Sequence, residues 1–213
     1  MKKMDVLGVL QEHGAVVSGH FQLASGLHSP VYIQTALVLQ YPHVAQKIAR
    51  ALVAKFNSRP DVIISPGMSS VVLGQEVARV QKCRAIFTER KGGMAALRRD
   101  FKLERGEKAL IIEDVLTTGR LTSEIITLVQ AYGAKVMGVG AIVDRSSSPL
   151  CLSVPARTLD EYAKLANSRP GGMPYGTSGV GGAGHLAGEL FKLMARANLV
   201  HVPYKGGGPA MSD

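Results

Sequence analysis

Apolar positions along this chain follow two periods that take turns, and the alternation sets the class of fold to expect. Asp5–Gln11 has helical apolar spacing and predicts a first helix ending near Gly14. Phe21–Leu39 mixes β-branched residues with Gly26 and Pro30, which predicts short strands and turns. Pro42–Phe56 places Val44, Ile48, Leu52 and Phe56 on one helical face. Strand and helix then alternate: strand Asp61–Ser65, helix Val71–Val80, strand Arg84–Thr88, a basic loop, strand Ala109–Glu113, helix Thr122–Tyr132, strand Lys135–Val143. Strands apolar enough to be covered on both faces, with helices between them, predict a parallel α/β sheet. Ligands in such sheets collect at the carboxyl ends of the strands.

After Asp144 the texture changes. Arg145–Pro155 reads as a Ser/Pro-containing linker, and glycines crowd the segment beyond it, from Gly171 to Gly184 and again at Gly206–Gly208. The expected boundary lies near Ser148, giving domains of 1–148 and 149–213. Beyond it the pattern predicts a helix over Thr158–Ala166, a strand, a glycine-rich loop, a helix over His185–Ala195 and a strand over Leu199–Pro203.

Composition narrows the function classes. The 213 residues carry 25 Lys+Arg against 16 Asp+Glu, a net +9. A basic balance suits nucleic acid, an anionic membrane or a small polyanionic substrate. Aromatics at 5% with no Trp, in no RNA-binding pattern, speak against nucleic acid. No stretch approaches the roughly 20 apolar residues of a membrane span, and Asp5, Glu12 and His13 interrupt any signal-peptide core. A cytoplasmic protein is the expectation. Cys83 and Cys151 are too few for a disulfide framework or a zinc site and read as ordinary thiols. The densest cationic stretch, ERKGGMAALRRDFKLER over Glu89–Arg105, fits either a solvated loop or one that closes over phosphates.

The strongest chemical signal is ALIIEDVLTTGRLTSE, residues 109–124. A buried strand ends in two acids, Glu113 and Asp114, and a turn of Thr117, Thr118 and Gly119 leads into a helix. Backbone N–H groups at such a turn suit a phosphate, and glycine lets the backbone approach closely. Carboxylates beside a phosphate are unfavourable unless they meet donors such as sugar hydroxyls, with Mg²⁺ neutralising a pyrophosphate. Two acids that merely cap the next helix are the plainer reading. A Walker A loop is excluded, because no Gly-Lys-Ser/Thr follows the turn.

This segment resembles the motif with which type I phosphoribosyltransferases bind phosphoribosyl pyrophosphate (PRPP). The resemblance implies Glu113 and Asp114 on the ribose hydroxyls and Thr117, Thr118, Gly119 and Arg120 around the 5′-phosphate. The family usually has Ser or Thr where this chain has Leu121, with Thr122 one residue late. HFQLASGLHSPVYIQ, residues 20–34, is similar to the N-terminal signature of orotate phosphoribosyltransferases, in which Ser25 and Gly26 would line the orotate end. Many members carry Lys in place of Ala24. SPGMSSVVLGQEVAR, residues 65–79, resembles the pyrophosphate loop, with Ser69 and Ser70 where Gly-Gly is commoner. Arg90 and Lys91 match the family's cationic pair, and Arg98 and Arg99 lie in its distal shoulder.

The resemblance implies a type I phosphoribosyltransferase fold, a parallel twisted sheet flanked by helices with a small N-terminal hood. It also implies Mg²⁺-dependent transfer from PRPP to orotate in a homodimer, with Lys91, Arg90 and Asp114 as catalytic residues and no partner nucleic acid or membrane. Residues 153–213 instead resemble a fragment of the tripartite tricarboxylate receptors, which bind carboxylates. The expected architecture is therefore an α/β enzyme with a C-terminal βα appendage. A nucleotide-binding protein of the same fold without catalysis, and a carboxylate-binding module in the tail, are the alternatives.

Overall fold

A computed structural model describes residues 4–22, 28–145, 152–161, 170–182, 185–186, 188–189, 192–193 and 198–205. The chain divides into two compact units, one of residues 1–13 and 35–160, the other of residues 14–34 and 161–213.

The first unit is built on a six-stranded sheet. Its strands are β3 (Val62–Ser65), β4 (Arg84–Lys91), β5 (Met94–Leu97), β6 (Lys108–Leu116), β7 (Lys135–Asp144) and β8 (Ala156–Glu161), in the spatial order β5-β4-β3-β6-β7-β8. β3 pairs in parallel with β4 and β6, β6 pairs in parallel with β7, and β5 runs antiparallel to β4. The central strands Val62–Ser65 and Ala109–Glu113 are buried along their length, as their unbroken apolar runs require when helices cover both faces. On one face Val62, Ile64, Ile111, Val139 and Ala141 pack with Ile125, Ile126 and Val129 of helix α5 (Arg120–Ala131). Each such side chain removed from water contributes about 1.5–3 kcal/mol.

Against the opposite face lies α4 (Met68–Gln81), and two glycines allow close approaches there. A Cβ on Gly74 would sit 2.1 Å from the Ser65 hydroxyl, and one on Gly140 would press on Phe56 and Leu52. α1 (Val6–Glu12) opens with Asp5 accepting the Gly8 N–H at 3.0 Å. α2 (Ala36–Leu39) and α3 (Pro42–Val53) follow, and α3 buries Val44, Ala45, Ile48, Ala49 and Leu52. Among the described residues, no helix is long and apolar enough to cross a membrane.

The second unit holds two small sheets. β1 (Val16–Gln22) and β2 (His28–Ile33) form an antiparallel pair whose register shifts between Ser18 and Phe21. β9 (Met173–Thr177) and β10 (Leu199–Pro203) pair in parallel. Around them Tyr175 donates its hydroxyl to Glu189 at 2.7 Å, and the His185 and His201 rings stack 3.9 Å apart.

Two expectations need correction. The basic stretch is no open loop: Glu89–Lys91 belong to β4 and Met94–Leu97 to β5, joined by Gly92–Gly93 at φ 58° and 82°. Lys91 pairs with Met94 across that turn, and two residues at positive φ suit the twist of a tight hairpin. The helix expected from Thr158 is strand β8 as far as Glu161, because the outer edge of β7 has unpaired N–H and C=O groups that a strand satisfies. The remainder of that span, to Ala166, lies outside the described residues. In the segment expected as a helix over His185–Ala195, Leu186 (63% exposed) and Leu193 (74%) are open in the single chain, while Leu190 and Met194 lie outside the described residues.

Candidate active site

Strand order reverses between β3 and β6: the chain leaves β3 toward β4 on one side, then returns to β6 on the other and continues to β7. Loops at the carboxyl ends of two such strands diverge and leave a crevice. Here they are the turn Pro66–Gly67 before α4 and the segment Thr117–Gly119 before α5.

The two acids stand at this point with different surroundings. Asp114 is half-buried and held from two directions. Ser70, in the first turn of α4, donates its hydroxyl to one carboxylate oxygen at 2.8 Å, and Thr35, at the start of α2, donates to the other at 2.5 Å. The Asp114 N–H donates back to the Ser70 hydroxyl at 3.3 Å. Three elements far apart in sequence are thus joined at one carboxylate. Glu113 is buried at 8% exposure and accepts the hydroxyl of Thr122, itself 1% exposed. Burial pushes the Glu113 carboxyl up to about 7; the Thr122 hydroxyl works the other way, and neighbouring Asp114 adds to the rise.

The turn that follows has the form of an anion cradle. Gly119 takes a left-handed conformation (φ 71°) and its carbonyl accepts the N–H and hydroxyl of Ser123 at 2.8 and 2.9 Å, which starts α5. N–H groups in the first turn of a helix have no intrahelical acceptor and carry the positive end of its dipole. Thr117, Thr118 and Arg120 are exposed beside them, and the Thr118 hydroxyl accepts the Arg120 N–H at 3.4 Å. Leu121 packs against the core cluster under α5, which accounts for an apolar residue at a position expected to offer a hydroxyl.

The cations divide between two acids. Arg90 reaches Glu124 at 2.6 Å and the Gly93 carbonyl at 2.7 Å, and Arg120 lies 3.5 Å from the other Glu124 oxygen. Arg99 pairs with Glu89 at 2.9 Å and Arg98 approaches it at 4.0 Å. Lys91, at the hairpin tip, makes no ion pair with the described residues. Ser69 is half-buried, whereas the Ser70 hydroxyl, expected to face a pyrophosphate, is 3% exposed and committed to Asp114. Ser25 and Gly26 lie outside the described residues. Thr35 was missed from sequence, and Thr122 was marked only as a hydroxyl one residue late in the motif; the signal for both is a hydroxyl flanking an apolar run, where a buried polar group needs a partner.

A cavity of about 400 Å³ lined by Arg59, Pro60, Asp61, Lys82, Cys83 and Lys108 opens at the other, amino-terminal ends of β3, β4 and β6. It shares no residue with the crevice, and burial pushes the Cys83 thiol up from its ordinary value.

Residues 35–171 match the model of the phosphoribosyl transferase domain, and residues 135–213 that of the tripartite tricarboxylate transporter family receptor. The chain is 44% identical to an orotate phosphoribosyltransferase of Caldicellulosiruptor saccharolyticus over 160 residues, 75% of this chain and 84% of the relative. It is 38% identical to that of Pelotomaculum thermopropionicum over 181 residues, 84% and 95% of the two chains. Among solved structures, orotate phosphoribosyltransferase from Aeropyrum pernix superposes with a TM-score of 0.64 at 21% identity, covering 76% of this chain and 96% of that one. Adenine phosphoribosyltransferase from Rhodothermus marinus gives 0.60 at 19%, over 73% and 98%. Enzymes named for different bases share the fold, so the fold alone does not select a base.

Proposed function

The chain belongs to the phosphoribosyltransferase family, among its orotate phosphoribosyltransferases, and from that membership we infer that it transfers phosphoribosyl from PRPP to orotate. The observation that carries the inference to residues is the acidic pair at the strand-order reversal, followed by a helix N-terminus. Each carboxylate has about four acceptor positions. Hydroxyls of the protein take two on Asp114 and one on Glu113, so both retain capacity for the ribose 2′- and 3′-hydroxyls of PRPP. Backbone N–H groups of Thr117–Arg120 receive the 5′-phosphate.

In the reaction a ring nitrogen of orotate forms a bond to the anomeric carbon as the bond from that carbon to pyrophosphate breaks. Charge builds on the leaving pyrophosphate, and Lys91 is the cation free to meet it, with Arg90, Arg98, Arg99 and Ser69 around it. Arg90 must first exchange Glu124 for substrate. The ring nitrogen gives up its N–H proton as that bond forms, and the departing pyrophosphate, a polyanion, is the acceptor we propose for it, so no enzymic base is required. Ser25 and Gly26 are assigned to the orotate end on the signature alone.

Mg²⁺ supplies charge neutralisation of pyrophosphate. The described residues hold no group of three His, Cys, Asp or Glu side chains suited to a metal. Small hard cations are commonly held by substrate phosphates and water with few protein donors, and we propose that PRPP carries the ion into the site. A cytoplasmic homodimer is the setting we propose.

Incubation of the protein with PRPP, Mg²⁺ and one base at a time, followed by product chromatography, tests base choice. Orotate alone should be consumed, with pyrophosphate released in equal amount. Consumption of adenine in its place would overturn the assignment.

A further inference from the structure

Thr122 stands where its neighbours in sequence face solvent or core, yet its hydroxyl is almost wholly buried and meets one acceptor, Glu113. A buried hydroxyl paired with a buried carboxylate is costly to build unless both are held, since each has lost its water. Leu121 explains the shift: with that residue turned into the core, the first polar side chain of α5 able to reach β6 is Thr122.

We propose that Thr122 is a positioning residue: its hydroxyl, donated to Glu113, fixes that carboxylate as an acceptor for the ribose of PRPP. The proposal rests on the placement of PRPP argued above. Asp114 has its own holders in Thr35 and Ser70, so the two acids are supported separately. Glu113 has little else. Its partner across β7 is Ala141, and the nearest charge on that strand is Asp144, beside Leu116. On α5, Arg120 and Glu124 are engaged with each other and with Arg90. On β6 itself Asp114 adds like charge, and no Lys, Arg or His among the described residues pairs with Glu113. The Thr122 hydroxyl is thus what favours the ionised form, against burial and Asp114.

Thr122→Val keeps the shape and removes the donor; Thr122→Ala serves if the valine chain folds poorly, and Thr122→Ser restores the hydroxyl. Two readouts are needed. One is titration of the Glu113 carboxyl by carbon NMR on glutamate-labelled protein, assigned by its loss in Glu113→Gln. The other is the pH profile of kcat/KM for PRPP. Thr122→Val should raise the carboxyl midpoint by about one pH unit, equivalent to a tenfold change in proton affinity. The acid limb of kcat/KM should move by the same amount. The resulting loss is roughly tenfold on that limb and fades at high pH, and Thr122→Ser should match the parent on both readouts. An unmoved midpoint, or a loss equal at every pH, overturns the proposal. A moved midpoint in a parent protein that never consumes orotate supports the Thr122–Glu113 pair and overturns the assignment of the reaction instead.

Discussion

Glu113 and Asp114 are adjacent, equally acidic in sequence, and physically unlike. Asp114 is held by two hydroxyls at the rim, whereas Glu113 sits inside, where its charged form is disfavoured. A carboxyl raised to about 7 binds a proton in the folded chain that the unfolded chain releases near its ordinary value. Its contribution to stability is therefore full below about pH 4 and is lost as pH rises through about 7. Glu113→Gln cannot ionise and should be more stable than the parent at pH 9 by on the order of 1–3 kcal/mol, with little advantage at pH 4. It should also bind PRPP less well. Urea unfolding of both proteins at the two pH values measures this; an equal difference at both would show that folding does not raise the Glu113 carboxyl. The acids themselves were legible in sequence because they interrupt an apolar run. Their holders were not, since Thr35 lies 79 and Ser70 44 positions from Asp114, and only the closed sheet brings them together.

At the scale of elements, the β4–β5 hairpin shows how one local signal can be read two ways. A Gly92–Gly93 pair marks a tight hairpin, but the surrounding arginines and lysine suggested a loop. The hairpin is tied down by side chains the local pattern does not reveal: Glu124 on α5 takes Arg90 and the Ala95 N–H, and Glu89 takes Arg98 and Arg99. Of the cations assigned to pyrophosphate, Lys91 alone is without such an ion pair among the described residues. A charge that acts mainly on the leaving group lowers kcat when removed, whereas one that only gathers substrate raises KM. Lys91→Ala should cut kcat roughly ten- to a hundredfold with orotate KM changed less than about threefold. Steady-state kinetics decide it, and a change confined to KM would move Lys91 out of the chemistry. The helices and parallel strands from α3 to β7, in contrast, were legible to within a few residues, because their periodicity and burial coincide.

For the whole molecule, the enzyme-like and receptor-like matches overlap over residues 135–171, so the similarity does not change hands at one point. β8 belongs to the same sheet as β3 and β6 although it lies beyond the proposed boundary near Ser148, itself outside the described residues. That strand was not legible: the sequence from Thr158 reads as a helix, and only the open edge of β7 makes an extended chain preferable. We retain the two-domain division as a proposal on the change of texture after Asp144.

Every side chain assigned to the PRPP end of the reaction comes from the first unit. The most direct measurement is therefore orotate consumption with PRPP and Mg²⁺, followed at the orotate ultraviolet band, in the full chain and in the Glu113→Gln, Asp114→Asn double variant. The full chain should turn over, and the double variant should lose at least about a thousandfold in rate while its circular dichroism stays that of the parent. Undiminished turnover in a correctly folded double variant would contradict the account.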